Sequence, residues 1–144
     1  MQKATASDRA LRRARISWEQ SQEDLRIAKS RIRDSPEVSC LQSTQAAINA
    51  LGSVLEAQGH FQLPAFSSVE MLDACVSIVA DLESIRSQCY VLDSMLERDV
   101  LGKARQKNVR FTPAFAKTCQ RAAEGILTEI RKFWSQIPSP RSAS

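Results

Sequence analysis

The stretch VSCLQSTQAAINALGSVLEAQG, Val38–Gly59, decides the fold. It has no proline, one interior glycine and apolar residues returning every three or four positions, the period of a helix with one apolar face. It stops at Gly59, a residue suited to the left-handed position after a helix C-terminus. Its apolar set reads as Val38, Leu41, Ala47, Ile48, Leu51, Val54 and Leu55. Small residues crowd the middle: Ser43, Ala46, Ala47, Ala50, Gly52 and Ser53. Small side chains let a neighbouring helix come close, so this helix is expected at the centre of a bundle.

Upstream, Ser35 is placed to cap this helix, Pro36 takes its first position, where a missing N–H costs nothing, and Glu37 suits the positive end of the dipole. A preceding helix is predicted to begin near Ser7, which is placed to cap it. Leu11, Ala14, Trp18, Leu25, Ala28 and Ile32 form its stripe, with Arg12, Arg15, Glu19, Glu23 and Arg26 on the opposite face. Glu19 and Glu23 imitate a catalytic carboxylate pair but read as a solvated face, with Glu23 turned towards Arg26.

Downstream, GHFQLPAF is a loop, and its His60 has no nearby catalytic partner. Ser67 and Glu70 have capping-box spacing. The apolar pattern from Leu72 to Leu96 allows one helix or two, breaking near Asp81–Ser84 and ending at Gly102. The connection KARQKNVRF carries Lys103, Arg105, Lys107 and Arg110 without an acid. Thr112 and Pro113 then open a last helix with Phe115, Cys119, Ala122, Ala123, Ile126, Leu127, Ile130 and Phe133 on one stripe, widened by Trp134. No segment alternates as a strand does. The expected fold is all-α, an antiparallel bundle of four to five helices, as one domain over residues 7–136 between free ends at 1–6 and 137–144.

Totals agree with that picture. A chain of 144 residues with 43% hydrophobic and 25% charged residues can bury a core without disulfides or metals. Cys40, Cys75, Cys89 and Cys119 stand apart, and His60 is the single histidine, so neither a metal site nor a cofactor is expected. The thiols read as small buried hydrophobes of a reducing, cytoplasmic setting. No apolar run is long enough to span a bilayer. The Arg-rich start imitates a transit peptide, but its pattern runs on into the first helix. A net charge of +4 permits an anionic partner without requiring one.

The order of these elements resembles the HEPN domain family. WEQSQEDLRIAKSRI, CLQSTQAAINALGSVLEAQG and RFTPAFAKTCQRAAEGILTEI fall where that family has its helices, and Trp18, Glu23, Asp24, Leu25, Ala28, Cys40, Gln45, Ala46, Ala47, Leu51, Leu55, Gly59, Phe111, Thr112 and Ala116 fit its pattern. The likeness covers about residues 14–134. It implies a homodimer that is either a metal-independent ribonuclease or an inactive relative, often paired with a nucleotidyltransferase in a toxin–antitoxin-like system. The ribonucleases place a histidine four to six residues after an arginine. Here Arg105 and Gln106 match the start of that motif, but Arg110 stands where the histidine belongs. A guanidinium does not release its proton at neutral pH, so Arg110 is no general base.

Three functions follow as expectations. One is a non-catalytic module that dimerises and binds a nucleotide or RNA phosphate at Lys103, Arg105, Lys107, Arg110 and Thr112, with helix-one arginines extending the surface. Another is a protein-interaction partner using Trp18, Phe133, Trp134 and Ile137 as its interface. The third is a divergent ribonuclease, for which His60 is the available base.

Overall fold

The computed structural model describes residues 6–60, 67–98, 104–106 and 110–137. The expected free ends fall outside these apart from Ala6, which opens the first helix, and Ile137, which packs against the core. Five α-helices make the body: α1 (Ala6–Ser30), α2 (Pro36–Ala57), α3 (Ser68–Val76), α4 (Arg86–Asp93) and α5 (Pro113–Ser135). A 3-10 segment, Ala80–Ile85, joins α3 to α4. The all-α bundle is therefore observed, with one addition. Leu96–Arg98 (β1) and Ala104–Gln106 (β2) pair as a short antiparallel ribbon. At three residues each, such strands are too short to show the alternation by which a strand is recognised.

The centre is α2, which packs against α1, α3, α4 and α5. It does not bury the face its large residues suggest. Val38 and Leu41 are 41% and 43% exposed and Ile48 is half-buried, whereas Ser39, Cys40, Ser43, Ala46, Ala47, Ala50, Gly52 and Ser53 are buried with Leu51, Val54 and Leu55. Close packing explains this. A surface of Ala, Ser and Gly lets helix backbones approach on several sides, and the buried hydroxyls of Ser39 and Ser53 pair with nearby carbonyls. Ser53 donates to the carbonyl of Ala50 at 2.6 Å, and Ser39 reaches across to that of Ala28 at 2.7 Å.

Ends of α2 are set by two devices. Pro36 is at the start as expected, but the Ser35 side chain makes no capping bond. At the other end Gly59 has φ +79°, its N–H donates to Glu56 O, and the His60 N–H donates to Leu55 O. That pair of bonds is a Schellman motif, and it needs the left-handed residue that glycine supplies.

α1 runs antiparallel to α2, as Ser17 donates to Glu56 near one end and Ser39 to Ala28 near the other. It starts at Ala6, so Ser7 lies within it and is not its cap. Ala14, Trp18, Leu25 and Ala28 are buried as the stripe requires, and Ser21 and Asp24 are buried beside them. The Asp24 carboxylate accepts from Gln20 Nε2 at 2.9 Å and Asn49 Nδ2 at 2.7 Å, and Asn49 Oδ1 accepts from Gln45 at 3.3 Å. Glu23 forms its ion pair with Arg26 on the exposed face.

Between Ser68 and Asp93 the chain is more broken than its apolar pattern indicates. α3 stops at Val76, the 3-10 segment follows, and α4 ends at Asp93, well before Gly102. Ser67 caps α3 by accepting from the Glu70 N–H at 3.1 Å. The Asp93 carboxylate returns to the same place, accepting from Ser68 N at 2.9 Å, Ser68 Oγ at 2.8 Å and Val69 N at 3.1 Å. One carboxylate thus ties the end of α4 to the positive end of α3. All four cysteines are buried free thiols. Burial pushes Cys75 up to about 12 and Cys89 up to about 11.

Candidate functional site

A groove of about 500 Å³ opens where the end of α1 meets the start of α5. Its walls are Lys29, Ser30, Ile32, Arg33 and Asp34 on one side and Pro113, Ala114 and Lys117 on the other. The local sequence explains the junction. α1 frays after Ser30 into a turn that carries Arg33 and Asp34, and Pro36 then starts α2. Across the groove Thr112 caps α5, its Oγ1 accepting from the Phe115 N–H at 3.1 Å. Pro113 has no N–H and that of Phe115 is taken by the cap, so backbone donation in this first turn narrows to Ala114.

Electrostatically the groove is cationic. Lys29, Arg33 and Lys117 face one acid of the lining, Asp34. Lys29 also reaches across to α5, its Nζ 2.9 Å from Glu124 Oε1. Glu124 accepts a second bond from Gln120 Nε2 at 2.9 Å. The Lys29 bond, then the Gln120 bond, hold the Glu124 carboxyl below its ordinary range. The helix dipole of α5 adds positive potential at the same place. Chemically, the arrangement suits an anion with several oxygens, taken by point charges from Lys and a planar donor fork from Arg33.

The structure places the residues singled out from sequence unevenly. Arg110 is exposed and Thr112 spends its hydroxyl oxygen on the cap, both just ahead of α5. Arg105 lies in β2, its backbone opposite Glu97. Lys103 and Lys107 lie outside the described residues. His60 is exposed at the far end of α2, about 30 Å along that helix from the groove at 1.5 Å per residue.

Trp18 and Trp134, expected at an interface, are core residues, and Phe133 is half-buried. The two indoles stack with centroids 6.4 Å apart and planes inclined by 17°, and Phe133 meets Trp134 edge-on at 5.6 Å. Trp134 Nε1 donates to Ser53 Oγ at 3.0 Å. Arg15 lies over the Trp134 ring at 5.1 Å and Arg131 over the Trp18 ring at 5.9 Å. Each of α1 and α5 thus contributes an arginine and, three residues later, a tryptophan to a reciprocal clasp.

Sequence reasoning missed Lys29, Arg33 and Lys117 as a group. The available signal was the antiparallel arrangement itself, which sets the end of the first helix against the start of the last. Among the described residues no cluster of His, Cys, Asp and Glu is placed to hold a metal ion, and no helix is long and apolar enough to cross a membrane. The chain matches no protein-family model, no curated protein and no solved structure.

Proposed function

We propose that this chain is a non-catalytic helical binding module whose groove between α1 and α5 takes a phosphate-bearing ligand, a nucleotide or the end of a nucleic acid. The observation that carries this reading is the convergence of Lys29, Arg33 and Lys117 on one concavity of about 500 Å³ at the capped start of α5. Arg110 stands exposed two residues before Thr112, just ahead of the same helix start, and adds a cation there. Binding rather than catalysis is favoured because His60 sits at the opposite end of α2 and Arg110 occupies the position of the missing motif histidine.

The test is calorimetric titration with inorganic pyrophosphate and with a nucleoside triphosphate at low and moderate salt. Binding that weakens with salt, and falls at least tenfold in Lys117→Ala and Arg33→Ala, supports the reading. Equal affinity in both variants sinks it.

A second reading, self-association, rests on the outer face of α2, where Val38 and Leu41 are exposed one turn apart. A HEPN-like homodimer, or a nucleotidyltransferase-type partner, would cover that face. Sedimentation equilibrium of the wild type against Leu41→Glu tests it. A monomer in both excludes the homodimer.

A further inference from the structure

Along the seam between α1 and α5 the cations do not stop at the groove. Lys29 is fixed to that seam by its ion pair with Glu124, and Arg121 is close enough to Glu124 to help lower its carboxyl. Further along, Arg15 and Arg131 lie over the paired indoles that join the two helices. The seam therefore has a basic residue of α1 at each end, Arg15 and Lys29, and a row on α5, Lys117, Arg121 and Arg131. Arg15 and Lys29, like Lys117 and Arg131, are fourteen residues apart, about 21 Å of helix. The helices run antiparallel, so Lys29 lies near Lys117 at the groove end and Arg15 near Arg131 at the other.

From this we infer that the seam is a track for the phosphodiester backbone of a single nucleic-acid strand, entered from the groove. This rests on the phosphate-binding reading of the groove and extends it from one phosphate to a chain of them. Three features select the occupant. Cations stand on both walls of one line, interrupted by the Glu124 carboxylate that Lys29 and Arg121 offset, an arrangement that suits a single chain of phosphates. A stacked strand advances about 3.4 Å per phosphate, so the track covers about six. The indoles at its far end are buried and occupied by each other and by Arg15 and Arg131, so they offer no face for base stacking, and the track reads charge without sequence.

The experiment measures affinity for oligouridylates of two, six and twelve residues, for a twelve-residue oligodeoxythymidylate, and for inorganic pyrophosphate. Each is read in the wild type, in Arg121→Gln with Arg131→Gln, and in Lys132→Ala as control. Lys132 is a cation of the same helix that pairs with Glu129. The expected result has four parts. Affinity rises at least tenfold from two to six residues and then levels. RNA and DNA bind alike. The double variant loses that rise while keeping pyrophosphate affinity and its helical circular dichroism. Its salt slope drops by about 0.7 per cation removed, and Lys132→Ala stays within twofold of wild type. Pyrophosphate binding without any length dependence overturns the track and leaves the groove standing. Length dependence that survives the double variant overturns the track as well. Absence of binding by every probe overturns both.

Discussion

Replacing Trp134 with phenylalanine tests the clasp that holds α5 to α1 and α2. Three losses add up. The hydrogen bond from Nε1 to Ser53 Oγ is worth about 1 kcal/mol. A side chain smaller by about 40 Å³ in a close-packed site costs about 1 kcal/mol at ~24 cal/mol per Å³. The weaker face offered to Arg15 costs about 0.5 kcal/mol. Together they predict a destabilisation of about 2–3 kcal/mol. With a urea dependence of about 2 kcal/mol/M, the unfolding midpoint falls by roughly 1–1.5 M. Circular dichroism at 222 nm is the appropriate probe, since the substitution removes one of the two tryptophans. Ser53→Ala leaves the indole N–H buried and unpaired and costs about 1–3 kcal/mol. The double variant closes the cycle, with a coupling of about 1 kcal/mol between the pair. A single-variant loss below about 0.5 kcal/mol, or a coupling indistinguishable from zero, would refute the reasoning.

Other expectations concern the thiols, the end of α2 and its packing face. Cys75 and Cys89 are held protonated in the fold, at about 12 and about 11, but ionise near 9 when unfolded. The unfolded chain therefore binds fewer protons above pH 9, and stability present below pH 9 is lost as pH rises towards 12, by about 3 kcal/mol for the two at pH 10. Urea titrations at pH 7 and 10 check this, and Cys75→Ala should flatten the dependence even as it lowers stability. Gly59→Ala meets no atom within 4 Å, so its cost is the backbone strain of φ +79° alone, about 1 kcal/mol by denaturation. Ala50→Leu overfills a fully buried site on the small-residue face of α2 and should cost about 1–3 kcal/mol, a fall in Tm of roughly 4–10 °C.

What the sequence conveyed, and what it withheld, divides along physical lines. Periodicity located α1, α2 and α5 because each is long enough for the stripe to repeat, and Thr112, Pro113, Pro36 and Gly59 marked ends through local rules that act within a few residues. A break was legible only as an alternative near Asp81–Ser84; the chain leaves the helix earlier, at Ser77–Val79, where no glycine or proline interrupts the apolar pattern. The buried face of α2 differs from the face its large residues suggest. Val38 and Leu41 are the larger residues, yet proximity to four other helices favours the small face, and size alone does not report proximity. Of the site, Arg110 and Thr112 were visible as a local motif, while Lys29, Arg33 and Lys117 come together only when distant helix ends meet.

Asp93 has a consequence for how the molecule opens. Its carboxylate joins the end of α4 to Ser68 and Val69, twenty-five and twenty-four residues earlier, so the chain enters and leaves this segment at one point. α3, the 3-10 segment and α4 form a ring closed by a side chain. A ring closed in this way can separate from α2 and α5 without unravelling either long helix. Its amides would then share one opening free energy in hydrogen exchange, below that of the α1–α2–α5 frame. The protein would breathe as two cooperative parts, with Asp93 as the latch of the smaller one.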